Sequence, residues 1–146
     1  MGEGFAFHHV GVAVPALQPA IDFYKEAFRF EVISGPFEDP IQDVKVCFLG
    51  PAGAGSAPIE LISPRSSASP VNGYLSKGIG AYHVCFETDE IKKALAELWR
   101  KGCVVISEPV PAVAFGGRRI AWCFTPARQL IELLECAPLV EVMESK

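Results

Sequence analysis

Two histidines and two glutamates, each alone in a short apolar run, are the residues of this sequence whose types could do chemistry together. His9 lies in His8-His9-Val10-Gly11-Val12-Ala13-Val14 and Glu60 in Ile59-Glu60-Leu61-Ile62. His83 lies in Tyr82-His83-Val84-Cys85-Phe86-Glu87 and Glu132 in Leu130-Ile131-Glu132-Leu133-Leu134. A β-strand sends successive side chains to opposite faces. Each run therefore predicts a strand with apolar side chains on one face and one imidazole or carboxylate on the other. By the same alternation His8 is predicted to face away from His9. Two imidazoles and two carboxylates brought to one point would bind a divalent metal; the donors suit Co²⁺, Ni²⁺, Mn²⁺, Fe²⁺ or Zn²⁺ without choosing among them. Taken singly, each residue has a plainer reading as a core histidine or a solvent-facing glutamate. Their order sets them apart: His, Glu, His, Glu, with nearly equal intervals from His9 to Glu60 and from His83 to Glu132.

Such spacing points to an internal repeat, and the intervening elements agree. After the first strand, Pro15 breaks the pattern and Pro19 suits the first turn of a helix. Ala20, Phe23 and Ala27, with Tyr24 and Phe28 beside them, predict its apolar stripe. Strands are predicted at Phe30–Ile33, ended by Gly35-Pro36, at Val44–Leu49, and around Glu60 after a turn-rich stretch. A connection holding a short helix over Val71–Lys77 leads to the second half. There the His83 strand is followed by Thr88-Asp89 as N-cap residues, with Glu90 complementing the first-turn dipole. Ile91, Leu95, Leu98 and Trp99 predict a buried stripe, and Lys101-Gly102 a helix end. Strands over Cys103–Ser107, Arg118–Phe124 and around Glu132 complete it, with a loop over Pro109–Gly117. His9 and His83, Ser34 and Ser107, and Glu60 and Glu132 are each 72–74 residues apart. The predicted fold is α+β: two tandem βαβββ modules, about 5–64 and 81–136, form a curved, mostly antiparallel sheet. Residues 65–80 connect the modules, and 137–146 form a tail without a motif in a single domain spanning 1–146.

A length of 146 residues suits one domain with a substantial core. A net charge of −4 and a pI near 5.4 give no general attraction to nucleic acid or to an anionic membrane. No apolar run reaches the roughly 18 residues that a membrane-spanning helix needs. The start, Met1-Gly2-Glu3-Gly4, lacks the basic region of a secretory signal, and Ala6 stands where myristoylation wants Ser or Thr. Five cysteines without a Cys-x-x-Cys pair predict buried thiols in a reducing cytoplasm rather than a disulfide framework or a zinc ribbon. Cys85 shares a face with His83 and is read as core.

These residues resemble the vicinal oxygen chelate superfamily, which includes glyoxalase I, methylmalonyl-CoA epimerases, extradiol dioxygenases and bleomycin-resistance proteins. The resemblance covers about residues 7–136 and is closest to the methylmalonyl-CoA epimerases. Its carriers are His8–Val14, Ile59-Glu60-Leu61-Ile62-Ser63-Pro64, Ser69-Pro70-Val71, Lys77-Gly78-Ile79-Gly80, Tyr82-His83-Val84 and Leu130–Leu133. It implies paired βαβββ modules curving around a metal cleft, one divalent ion held by His9, Glu60, His83 and Glu132, and a homodimer. Three features depart from the epimerase pattern. Glu60 stands where epimerases have Gln or Glu, and Glu is also the glyoxalase choice. Val46 occupies a position at which some epimerases carry a second catalytic carboxylate. The turn Thr125–Gln129 is shorter than usual.

The resemblance implies chemistry at a carbon next to a carbonyl. The ion acts as a Lewis acid toward two cis oxygens of the substrate, and a ligand carboxylate removes the α-proton. Glu132 is the first choice for that base and Glu60 the second. Proton return on the opposite face would epimerise methylmalonyl-CoA or a related acyl thioester. Return to the neighbouring carbon of a hemithioacetal would instead complete the lactoylglutathione lyase reaction of glyoxalase I. A metal-free drug-binding protein of the same fold is the reading outside enzymes; it typically lacks the full ligand set. Lys45, Arg118 and Arg119 are candidates to hold a substrate carboxylate or phosphate, and Gly116-Gly117 reads as a tight turn.

Overall fold

The computed structural model describes residues 4–136. The first three residues and the predicted tail lie outside the described residues. The first half of the chain runs β1 (Ala6–Ala13), α1 (Leu17–Phe28), β2 (Phe30–Asp39), β3 (Val44–Pro51) and β4 (Ile59–Pro64). A short helix, α2 (Val71–Ser76), leads into β5 (Ala81–Thr88) and α3 (Ile91–Arg100). The chain then makes two short strands, β6 (Val104–Val105) and β7 (Val110–Pro111), a 3₁₀ turn at Val113–Phe115, β8 (Arg119–Phe124) and β9 (Leu130–Glu135).

All these strands join one sheet in the order β2-β3-β4-β1-β5-β9-β8-β6, with β7 also paired to β8. The order is a palindrome: β1 answers β5, β4 answers β9, and β3 answers β8. The two halves are thus related by a pseudo-two-fold axis through the antiparallel β1–β5 junction. The β1–β4 and β5–β9 pairs are parallel and every other pair is antiparallel, so the α+β, mostly antiparallel expectation is met.

Alternation along the strands separates the two faces of the sheet. Cys47, Leu49 and Leu61 point to α1, where Ile21 meets them; Ala121, Cys123, Ile131 and Leu133 point to α3, meeting Ile91, Ala94 and Leu95. Leu61 and Leu133 are almost wholly buried there, each contributing about 1.5–3 kcal/mol by removal from water. The two longer helices, α1 and α3, therefore cover one face; α2 and the 3₁₀ turn pack against the other through Val71 and Phe115, where the sheet curves around the polar residues.

Several local expectations need correction. β2 does not end at Gly35-Pro36 but runs on to Asp39, and the loop predicted over Pro109–Gly117 holds β7 and the 3₁₀ turn. Phe23 and Phe28 are exposed, because the buried stripe of α1 runs through Leu17, Ala20, Ile21 and Tyr24, and Phe23 lies across the helix from Ile21. Trp99 is 67% exposed, since α3 buries Ile91, Ala94 and Leu95 instead. Thr88 and Asp89 do not cap α3: Thr88 ends β5, and Glu90 takes the N-cap position without a side-chain hydrogen bond. The strand predicted over Cys103–Ser107 shrinks to β6. Ser107 leaves the ladder, and its hydroxyl oxygen accepts the backbone N–H of Trp122 at 3.0 Å.

Candidate metal centre

The central strands bring the four residues together in two rows. In the first, Gly11 on β1 pairs with Glu60 on β4 and with His83 on β5. In the second, Cys85 on β5 pairs with His9 on β1 and with Glu132 on β9. Gly11 and Cys85 are equivalent under the pseudo-two-fold axis, as are Glu60 and Glu132, and His9 and His83. All four polar residues point to the face opposite α1 and α3 and are buried, exposed by 0–6%.

Their donor atoms converge. His9 Nε2 lies 2.9 Å from Glu60 Oε1, 3.2 Å from Glu132 Oε1 and 3.3 Å from His83 Nε2. His83 Nε2 lies 3.5 Å from Glu60 Oε1 and 3.2 Å from Glu132 Oε1. One ligand atom from each residue falls within 4.8 Å of every other. Donors about 2.1 Å from a shared ion stand roughly 3.0–3.4 Å apart at octahedral cis or tetrahedral angles, so the spacing fits a single ion. Glu132 Oε1 gives the same indication: it is buried, close to both ring nitrogens, and without a hydrogen-bond partner among the described residues. Two nitrogen and two carboxylate donors suit a divalent transition metal, whose identity the donor set leaves open.

Aromatic rings buttress the centre in matching positions. Phe48 is the cross-strand neighbour of Glu60 and meets the His9 ring edge-on at 5.4 Å. Trp122 is the neighbour of Glu132 and meets the His83 ring edge-on at 4.8 Å. Phe115, from the 3₁₀ turn, stacks over His9 at 6.1 Å. A cavity of about 230 Å³ opens from the centre, lined by Glu60, His83 and Glu132 and by apolar side chains including Val46, Ile62, Phe115 and Trp122.

In this apolar setting the electrostatics are dominated by the cluster itself. Burial opposes a charge on His9, yet the carboxylates of Glu132 and Glu60 outweigh it and push the pKa up to about 9. His83 is raised against burial for the same reason. Glu132, also against burial, is held down at about 2 by His83 and His9. Protons on the imidazoles and a divalent cation thus answer the same pair of negative charges, and metal uptake must displace the protons. A histidine pKa raised from 6.5 to about 9 stabilises the fold fully below pH 6.5, and that contribution is lost as pH rises through 9. Chelator-treated protein is therefore expected to lose thermal stability between pH 7 and 9.5, and metal-loaded protein to lose much less. Equal losses in parallel melts of the two forms would contradict the account.

The other predicted residues lie elsewhere. Lys45 is exposed, on the face of β3 opposite Val44 and Val46. Arg119 binds Glu135 at 2.6 Å, while Arg118 binds Glu87 at 3.2 Å and lies over the Phe115 ring. None of the three lines the cavity. Cys85 is fully buried as expected, and burial beside the carboxylates drives its thiol pKa far up, so it stays protonated. One orientation was misjudged: His8 does not face away from His9. Its Nδ1 is 2.7 Å from His9 Nδ1, because the β1–β5 ladder steps from Phe7↔Phe86 to His9↔Cys85 and bulges out the residue between. Phe48, Phe115 and Trp122 were not anticipated as site residues. The 74-residue offset that pairs the histidines also pairs Phe48 with Trp122 and was the available signal.

Comparison with known proteins agrees with this geometry. The model of the Glyoxalase/Bleomycin resistance protein/Dioxygenase superfamily matches residues 8–122. The chain belongs to that superfamily. It is 38% identical over 111 residues to the mitochondrial methylmalonyl-CoA epimerase of Bos taurus, covering 75% of this chain and 61% of that protein. It is 30% identical over 132 residues to the mitochondrial methylmalonyl-CoA epimerase of Dictyostelium discoideum, covering 88% and 76%. A variant of the Streptomyces coelicolor methylmalonyl-CoA epimerase, solved with 2-nitronate-propionyl-CoA, superposes with a TM-score of 0.74 at 27% identity, over 92% of this chain and all of that one. This chain therefore spans about three fifths of the bovine relative's length.

Proposed function

We propose that this protein is an isomerase that epimerises the α-carbon of methylmalonyl-CoA or a closely related acyl thioester. One observation carries the reading: two carboxylates and two imidazoles, buried at the end of an apolar cavity, present their donor atoms to one point. The similarity to named epimerases supplies the substrate class. His9, Glu60, His83 and Glu132 would hold one divalent ion. When bound, that ion supplies Lewis-acid stabilisation of the negative charge that develops on the thioester oxygen.

The protein's own groups do the rest. Glu132 takes the α-proton, a role worth about 10²–10⁴-fold for a positioned base. Glu60 is related to it by the pseudo-two-fold axis; it would enter the cycle protonated and give that proton to the opposite face, so that one carboxyl gains the proton the other loses and exchange with solvent resets both. The apolar side chains of Val46, Ile62 and Trp122 keep bulk water from the carbanion, so that protons reach it through the carboxyls. Val46 cannot move a proton, which leaves the two-face transfer to Glu60 and Glu132. The nucleotide end of the thioester would extend beyond the cavity mouth, where Arg118, over the cavity-lining Phe115 ring, is the one of the three basic candidates placed to meet phosphate. Lys45 faces the other side of the sheet and Arg119 is engaged by Glu135. A homodimer and a reducing, cytoplasmic setting complete the proposal; the described residues hold free cysteines and no helix long and apolar enough to cross a membrane.

The test is α-proton exchange of methylmalonyl-CoA in D₂O, followed by NMR with Co²⁺-loaded protein. Rapid exchange with inversion is expected, and Glu132→Gln should reduce it about 10²–10⁴-fold while the ion stays bound. Conversion of a methylglyoxal–glutathione hemithioacetal without any exchange of the thioester would overturn the reading in favour of the lyase.

A further inference from the structure

The shortest contact between two rings at the centre lies behind it. His8 Nδ1 and His9 Nδ1 are 2.7 Å apart, which is hydrogen-bond length. A neutral imidazole carries one N–H and one lone pair, so one ring donates here and the other accepts. His9 turns its Nε2 toward Glu60, Glu132 and His83. An ion at that point takes the lone pair of His9 Nε2, which obliges His9 to carry its proton on Nδ1. His9 then donates, and His8 accepts through Nδ1 with its own proton on Nε2.

We propose that His8 is a positioning residue: by accepting the Nδ1–H of His9 it fixes the tautomer and ring orientation that present His9 Nε2 to a divalent ion. The inference rests on the metal-centre reading above and adds a residue to it. The backbone is shaped for the task, since strict alternation would send His8 to the face covered by α1 and α3 and the bulge between Phe7 and His9 brings it round. Phe115 holds the His8 ring in place, edge-on at 5.5 Å. The contact to His9 is the one hydrogen bond that the His8 ring makes among the described residues. Its counterpart in the other half lacks such a device: His83 Nδ1 is buried with no partner among the described residues, and packing sets that ring. His8, His9 and the nearby Cys85 do not form a second ion site, because His9 has no second lone pair to offer once Nε2 is used.

Outer partners of metal-bound histidines change metal affinity by about 10–100-fold. The experiment compares wild type, His8→Leu and His8→Asn by Co²⁺ titration, with ¹⁵N–¹H imidazole NMR of the zinc-loaded proteins and far-UV circular dichroism to establish folding. Leucine keeps the packing against Phe115 but accepts no hydrogen bond; asparagine offers an acceptor oxygen. Wild type is expected to show His9 protonated at Nδ1, with that proton shifted downfield. His8→Leu should lose the downfield signal and bind Co²⁺ about 10–100-fold more weakly, and His8→Asn should recover most of the affinity. His8→Leu binding within twofold of wild type would overturn the proposal, as would a folded His8→Asn no better than His8→Leu. Wild type that takes up no Co²⁺ would overturn the metal reading itself, a result distinct from failure of His8 alone.

Discussion

Protein in which His83 is replaced by alanine is expected to carry no divalent ion after reconstitution, and the parent is expected to carry about one per chain, as a single closed donor set would hold. The expectation follows from how the centre is enclosed. Each of the four donors is buried, so no neighbouring carboxylate or imidazole from the surface can move in as a replacement. Loss of His83 also leaves Glu60 and Glu132 facing one imidazole, with much of their compensating charge gone. The effect on affinity should exceed the ~10–100-fold that removing an outer partner causes. Because the ring also packs against Trp122, the variant is expected to be less stable, by about 2–5 kcal/mol for a large-to-small change in a packed site. Elemental analysis and a denaturation curve on the same preparation separate the two effects. A folded variant that still holds one ion would move the ligand set elsewhere.

The convergence of the four candidate ligands was legible in the sequence because β-strands impose a rigid rule. An isolated His or Glu in an apolar strand must share a face with its i±2 neighbours, and Gly11, Ala13 and Cys85 confirmed which face that was. The repeat then placed the two halves in equivalent positions, and the sheet order bears this out as a palindrome. His8 was misjudged for the same reason that His9 was found. Alternation holds only while the ladder is regular, and a bulge adds a residue that no local pattern announces. Phe48 and Trp122 needed knowledge of cross-strand register, which a single strand does not encode. Arg118 and Arg119 carried charge without context. The carboxylates that engage them, Glu87 and Glu135, lie on β5 and β9, 31 and 16 residues away in the chain. On α1 the aromatic residues Phe23, Tyr24 and Phe28 outnumber the positions available for burial, and on α3 burial goes to Ile91, Ala94 and Leu95, which leaves Trp99 exposed.

The largest effect of a change at a residue with no functional group is expected at Gly11. Replacing it with alanine should abolish metal binding almost as completely as removing His83 itself. A β-carbon built on Gly11 would stand 2.0 Å from Cε1, 2.4 Å from Nδ1 and 2.5 Å from Nε2 of the His83 ring, far inside van der Waals contact. The glycine is there for space: its φ is not in the left-handed region, so conformational freedom is not what the position requires. The ring cannot simply retreat. Trp122 meets it edge-on at 4.8 Å and Tyr82 at 4.7 Å, and packed interiors absorb a methyl group only by displacement. A rotated His83 would take Nε2 away from Glu60 and Glu132 and break the convergence of donors. Gly11→Ala should therefore fold with a cost of about 1–3 kcal/mol, typical of overpacking, yet bind Co²⁺ no better than His83→Ala. The double variant Gly11→Ala/His83→Ala makes the argument sharp: with the ring gone, the methyl group has room, so the double variant should be more stable than additivity of the two single changes allows. Strict additivity in denaturation experiments, or wild-type Co²⁺ affinity in Gly11→Ala, would show that the His83 ring does not depend on the missing β-carbon.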